Sequence, residues 1–230
     1  MGGLGRPEST DRAFNQYGIA GQPEADRANK LRRGNLRRYL RQMGNMGPRA
    51  MLVGEAPGYR GCRLTGVPFT SEKIILSGLN VVGAQGACQI FGSERGYQKT
   101  DERERVSSEA SATMVWGTIA VFQPLPVLWN AYPFHTFHPG RPMSNRRPSA
   151  PELAWGGQFV AELLQLFAIE TVVAVGASAA SALNRAGIRY HLVRHPSHGG
   201  KAQFVAGLKR ISGETGAFLP VRAERDTRFA

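Results

Sequence analysis

Apolar residues in this chain gather in short unbroken runs. Ala50-Met51-Leu52-Val53, Val127-Leu128-Trp129, Thr171-Val172-Val173-Ala174-Val175 and Tyr190-His191-Leu192-Val193 are the clearest. Unbroken runs of this length predict strands buried on both faces, over about 50 to 55, 127 to 130, 171 to 175 and 190 to 193. Helical periodicity fills the intervals. From about 150 to 167, Phe159, Val160, Leu163, Leu164 and Phe167 form an apolar stripe, and Ser149-Ala150-Pro151-Glu152 has the spacing of a capping box. A second helix begins near Ala177 and stops at Gly187, a residue suited to a left-handed C-cap. Upstream, Glu24 to Met43 reads as a helix with Leu31, Leu36, Tyr39, Leu40 and Met43 near one face and a run of arginines elsewhere. That run, including Arg32, Arg33 and Arg37, is expected to be a solvated face, with a phosphate-contacting face as the alternative.

Alternating strands and helices imply a parallel sheet with helices on both faces. The expected fold is therefore α/β, a three-layer α/β/α arrangement around a central, mostly parallel four-stranded sheet. The stretch from Gly83 to Phe122 is less periodic. It predicts a surface loop followed by a helix from about Glu104, carried by Val106, Ala110, Met114, Val115 and Ile119. Residues 1–23, rich in Gly, Pro and polar groups, predict a flexible arm; 24–212 a single domain; and 213–230 a C-terminal tail.

Composition narrows the partners. With 230 residues, 42% of them hydrophobic, the chain has material for one sizeable core. Its 29 Lys and Arg against 17 Asp and Glu give a formal charge of +12, a surface that attracts polyanions. Nucleic acid is the expected partner. No apolar run is long enough to span a membrane and no lipidation signal is present, so no membrane partner is expected. The start, Met1 to Pro7, lacks the apolar stretch of a signal peptide, which predicts a cytoplasmic protein. Cys62 and Cys88 are too few for a disulfide framework.

Two polar clusters follow predicted strands. Gly54-Glu55-Ala56-Pro57-Gly58-Tyr59, leading into Thr65-Gly66-Val67-Pro68-Phe69-Thr70-Ser71, comes after the first; Val193-Arg194-His195-Pro196-Ser197 comes at the last. In an open α/β sheet the carboxyl ends of the strands are where ligands bind. A carboxylate such as Glu55 can hold a water and stabilise positive charge on a sugar. Asn130, ending the second strand, carries a carboxamide that can donate to one atom and accept from its neighbour.

These segments resemble the motifs of the uracil-DNA glycosylase superfamily, from about Met51 to Lys201. Gly54-Glu55-Ala56-Pro57-Gly58 has the form of the family-four and family-five branches, with the acid at Glu55 and Ala56 standing where the best-known branch has its catalytic Asp. The resemblance implies a glycosylase that hydrolyses the N-glycosidic bond of flipped-out uracil in DNA, with Glu55 and His195 as catalytic residues. It implies Phe69 as the ring that stacks on the base and Asn130 as its reader, with Gly54, Ala56 and Tyr59 also against the substrate. Tyr59 stands one position beyond the place of the family's thymine-excluding Tyr. Ser197, His198, Gly199 and Lys201 stand in the place of the family's DNA-contacting loop, although His198-Gly199-Gly200-Lys201 departs from the Leu or Arg wedge of relatives, and Arg146, in Asn145-Arg146-Arg147-Pro148, which resembles a family-four stretch before a helix, is also expected to contact DNA. The side chain that fills the gap in the duplex is not apparent. Family-four and family-five relatives hold an iron–sulfur cluster on four cysteines; two cysteines cannot supply that set, so no metal and no cofactor are expected. A monomer acting on uracil-containing DNA is expected. Two alternatives stay open: a protein that binds uracil or abasic DNA without turning over, and a glycosylase for hypoxanthine or xanthine.

Overall fold

The computed structural model describes residues 3–5, 8–19, 23–83 and 86–221. In chain order, β1 (Ala13–Phe14) precedes the long helix α1 (Pro23–Met46) and β2 (Ala50–Gly54). Two short helices, α2 (Cys62–Thr65) and α3 (Glu72–Ser77), lead to a hairpin of β3 (Leu79–Gly83) and β4 (Gly86–Ile90). Then come α4 (Ala110–Ile119), β5 (Phe122–Gln123), β6 (Val127–Asn130) and β7 (His135–Thr136). The remaining elements are α5 (Ala150–Leu166), β8 (Thr171–Val175), α6 (Ala177–Arg185), β9 (His191–Val193), α7 (Lys201–Thr215) and β10 (Leu219–Pro220).

The central sheet has the order β6-β2-β8-β9 and every neighbouring pair is parallel. Helices flank it, giving the three-layer α/β/α fold that the apolar runs predict. Every residue of β2, β6 and β8 is buried, which is why these strands read as continuous apolar runs. At α5 the capping box forms as its spacing predicts, with Ser149 and Glu152 each bonding the other's backbone N–H. From β2 the chain crosses first to β6 on one side, then to β8 and β9 on the other. The order therefore reverses at β2 and β8, and such a switch point opens a crevice at the strands' carboxyl ends.

Three regions depart from the sequence expectation. Residues 8–19 are not a loose arm: Ala13 and Phe14 pair with Thr136 and His135, and Asn15, Gln16 and Tyr17 are buried. The amide of Gln16 accounts for much of this, donating to the Pro133 carbonyl at 2.7 Å and accepting from the His135 N–H at 3.2 Å. At the other end, α7 runs to Thr215, and β10 pairs with β5 while Phe218 packs edge-on against Phe122 with ring centroids 5.0 Å apart. The fold thus continues past residue 212; positions 222–230 of the expected tail, like 1–2, 6–7 and 20–22 of the expected arm, lie outside the described residues.

Third, the connection from 83 to 122 contains the β3–β4 hairpin, and its helix starts at Ala110 rather than near Glu104. Residues 97–109 are held to other elements instead. Asn35 donates to the carbonyls of Thr65 and Gln98, and the Arg32 side chain, 1% exposed, pairs with Glu102. Arg63 bonds the same carboxylate at 2.8 Å. Both guanidinium groups lie over the Phe14 ring, at 5.3 and 4.9 Å. Arg32 is therefore an interior strut and not part of the solvated helix face. Among the described residues no helix is long and apolar enough to cross a membrane.

Candidate active site

A cleft of about 490 Å³ opens at the switch point. Glu55, Phe69, Asn130 and His195 all line it, together with Gly54, Ala56, Arg146, Ser197 and His198. Residues that the sequence scatters over three strand ends and one loop therefore meet in one place.

The floor is set by the β2–β6 pair. Gly54 stands opposite Asn130, and pairing continues past the strands as Ala131 N–H donates to the Gly54 carbonyl at 2.8 Å and Tyr132 N–H to the Glu55 carbonyl at 3.0 Å. Asn130 is only 5% exposed, so its carboxamide is preset for whatever enters the cleft. Phe69 lies against this floor. A Cβ on Gly54 would stand 2.4 Å from Phe69 Cζ and 3.0 Å from Asn130 Oδ1, so only glycine permits ring and carboxamide to approach the backbone this closely. Phe69 itself has φ of 55°, sparsely populated for a bulky residue. The indole N–H of Trp116 holds that conformation by donating to the Phe69 carbonyl at 2.9 Å.

Glu55 leaves the sheet directly after Gly54. Its Oε1 is buried without a hydrogen-bond partner, and Arg147 Nε stands 3.8 Å away, an ion pair beyond hydrogen-bond reach. That oxygen is able to accept from a water.

His195 follows β9 and faces the cleft from the far side of the sheet. Ser197 donates its backbone N–H to Nδ1 at 3.2 Å, with its hydroxyl 2.6 Å from the same nitrogen. An amide N–H only donates, so Nδ1 is the accepting nitrogen and the neutral ring carries its proton on Nε2. Burial, then the charges of Arg194 and His198, lower the pKa of the ring below its ordinary value. The histidine is thus a neutral donor near pH 7.

His135 ties the two loops bordering the cleft. Fully buried, it sets Nδ1 2.8 Å from the Pro57 carbonyl and Nε2 3.1 Å from the Pro142 carbonyl, and burial lowers its pKa against those two bonds.

Not every expected site residue faces the cleft in the expected way. Arg146 lines it, but its five N–H donors meet five acceptors: both Glu152 oxygens and the carbonyls of Arg12, Phe137 and Arg147. It braces the loop and has no donor left for a phosphate, whereas neighbouring Arg147, with its side chain 63% exposed, has. Tyr59 sits at the rim. Its N–H donates to Asn145 Oδ1 at 3.1 Å, and its ring lies 5.4 Å from the Arg60 guanidinium and 6.0 Å from that of Arg103. Gly199 and Lys201 are exposed and outside the cleft lining.

Sequence reasoning missed Glu109, Ser111, Cys62, Ser178 and Arg194, which also line the cleft. Glu109 is the N-cap residue of α4, in a polar stretch with no motif to mark it. Cys62 is buried 3.9 Å from Asn130 Nδ2, and burial pushes its thiol far above the ordinary range. Cys88 is exposed on the hairpin, and among the described residues no three His, Cys, Asp or Glu side chains gather as a metal site. No family model matches the chain, and no curated protein matches it at a significant level.

Proposed function

We propose that this chain is a uracil-DNA glycosylase, hydrolysing the N-glycosidic bond of a flipped-out uracil and leaving an abasic site, the opening step of base excision repair. The observation that carries the proposal is the convergence of Glu55, Phe69, Asn130 and His195 on one cleft at the switch point of the sheet.

Each group has a chemical task there. The Phe69 ring replaces the stacking that a base loses on leaving the duplex, about 1–3 kcal/mol per base. Asn130 Oδ1 accepts from uracil N3–H while Nδ2 donates to O4, the reverse of what cytosine offers. As the bond between N1 and C1′ breaks, its electron pair passes to the base and charge collects on O2. The His195 Nε2–H, held outward by Ser197, stabilises that oxyanion. Positive charge on the sugar is stabilised by the Glu55 carboxylate. A water bonded to Oε1 adds its oxygen to C1′, and its proton balances the departing base anion. The basic surface attracts the DNA.

The test is alkali-revealed strand cleavage of a labelled duplex carrying one uracil, at enzyme excess, with wild type and Glu55→Gln. Cleavage that falls by orders of magnitude in the variant is expected. No uracil release by folded wild type overturns the proposal, and release of hypoxanthine or xanthine from a matched duplex would then reassign the base.

A further inference from the structure

We propose that the solvent face of α1 is a second DNA-binding surface, separate from the cleft, which holds the phosphate backbone of an undamaged duplex segment. DNA as the partner rests on the glycosylase function proposed above.

From Arg27 to Met46 the helix carries no Asp or Glu. Two of its cations are already occupied: Arg32 is buried with Glu102, and Arg33 bonds Asp26 at 2.9 Å and the carbonyls of Tyr17 and Gly18. Arg27, Lys30, Arg37, Arg38 and Arg41 remain. At about 3.6 residues per turn these five fall within about 100° of one another, opposite the face that buries Leu36, Tyr39 and Met43. Arg38 is half-buried beside Gly96, and the other four are exposed. Among the described residues, the one ion pair of the five is Arg27 with Asp101, at 3.8 Å and with both side chains largely exposed. The stripe is thus a row of cations without internal neutralisation, a surface that draws in a polyanion.

The chemistry of the face selects a phosphate backbone. Four of the five cations are arginines, whose planar fork matches phosphate oxygens. Among the described residues, none of the large exposed apolar side chains lies on α1, so the face offers neither the anchors of a protein interface nor the apolar side that sinks into a membrane. From Arg27 to Arg41 the stripe is about 21 Å long, enough to face about six phosphates of one strand at about 3.4 Å apiece. Gly34 stands in the middle of it. A Cβ there would meet only Arg38 Nη1, at 3.2 Å, so packing does not call for glycine at a position where it weakens the helix. The bare backbone lets a sugar–phosphate chain come close.

The stripe points away from the cleft. Only Gly47, Pro48 and Arg49 separate α1 from β2, so the helix runs opposite to the strand. Its Arg27 end stands on the cleft side, where Asp101 adjoins Glu102, the partner of Arg63 in α2. Arg41 stands toward the amino end of β2, lining a shallow groove with Pro48 and Phe167. A straight duplex across the cleft mouth therefore reaches neither Arg37 nor Arg41, and a second segment is needed to occupy them.

The experiment counts duplexes per protein by sedimentation velocity, at low salt with an excess of fluorescent undamaged duplex of about 12 base pairs, too short and stiff to wrap from the cleft onto α1. Wild type is compared with a stripe variant, Lys30→Gln/Arg37→Gln/Arg41→Gln, in which glutamine keeps the helix propensity. A control with the same change of charge, Arg185→Gln/Arg189→Gln/Lys209→Gln, alters exposed cations elsewhere. Thermal unfolding confirms that each variant folds. Two duplexes are expected on wild type and on the control, and one on the stripe variant. One duplex on wild type, two on the stripe variant or one on the control each overturns the proposal. In the first case, phosphatidylserine vesicles retained by wild type and not by the stripe variant would assign the face to a membrane instead. Loss of the second duplex in the stripe variant alone, with no uracil released by wild type, leaves this surface standing and removes the glycosylase function.

Discussion

Arg146 grips Glu152 with two prongs, Nη2 to Oε1 at 2.7 Å and Nη1 to Oε2 at 3.0 Å, and the same carboxylate completes the capping box of α5. One ion pair thus fixes both the start of a helix and the loop over the cleft. Arg146→Ala is expected to cost about 1.5–3 kcal/mol of stability, the range for hydrogen bonds to charged groups, and to leave the salt dependence of DNA binding unchanged. Arg147→Ala should do the opposite, leaving stability within about 0.5 kcal/mol and reducing the slope of log K against log salt by about 1. Urea unfolding and a salt titration of DNA affinity separate the two.

The tautomer of His195 makes a pH prediction. Protonation would put a second donor on Nδ1, facing the Ser197 N–H, and turn the ring out of place. Because burial, Arg194 and His198 hold the pKa below its ordinary value, the single-turnover rate should stay level as pH falls through about 6.5 and drop only below it. Arg194→Ala removes one of the lowering charges, so its rate should begin to fall at a higher pH than wild type. His195→Ala should reduce the rate about 10²- to 10³-fold at pH 7.5.

Gly54→Ala tests the cleft floor. A methyl group 2.4 Å from Phe69 Cζ must displace the ring, so the variant should lose the stacking that Phe69→Ala loses, about 1–3 kcal/mol of substrate affinity. The two losses should not add in the double variant, since both act through the same ring. Equilibrium binding of uracil DNA to the four proteins, each with Glu55→Gln to prevent turnover, measures this.

Glu102 holds Arg32 in the interior. Glu102→Gln leaves that guanidinium buried without a counter-charge and is expected to cost about 3–5 kcal/mol. Burial pushes the Glu102 pKa up, but Arg32 and Arg63 outweigh it and hold it below the ordinary carboxylate value. Its contribution is therefore complete above the unfolded value near 4.3 and lost as pH falls through the depressed folded value. The stability gap between wild type and variant, from urea unfolding, should be full at pH 7 and shrink below about pH 4.

Strands β2, β6 and β8 were legible because burial on both faces leaves an unbroken apolar run, whereas β9, read the same way, is an edge strand with Leu192 exposed; Gly54, Glu55 and Asn130 were legible because they stand at the ends of the first two runs. Glu109 was not legible. It reaches the cleft only through contacts far apart in sequence, Ser107 with Glu72 and Arg60, which leave no period and no motif. Arg146 misled for a related reason: an arginine beside a strand-end motif looks like a phosphate contact until its acceptors are counted. The packed residues 8–19 are held by side-chain amides rather than by an apolar run, so composition alone describes them as a loose arm.

The cleft has a floor and a wall of different origin. Gly54 and Asn130 are set by the central sheet and Phe69 by the loop before α3, whereas Glu109 belongs to the connection between β4 and α4 and meets the turn around Gly58 and Gly61. Alterations at the wall can therefore change what the cleft accepts without disturbing the strands that position the reacting groups. The protein is in this sense modular at the scale of a single pocket, and libraries confined to residues 103–111 are the economical way to retune what the cleft admits.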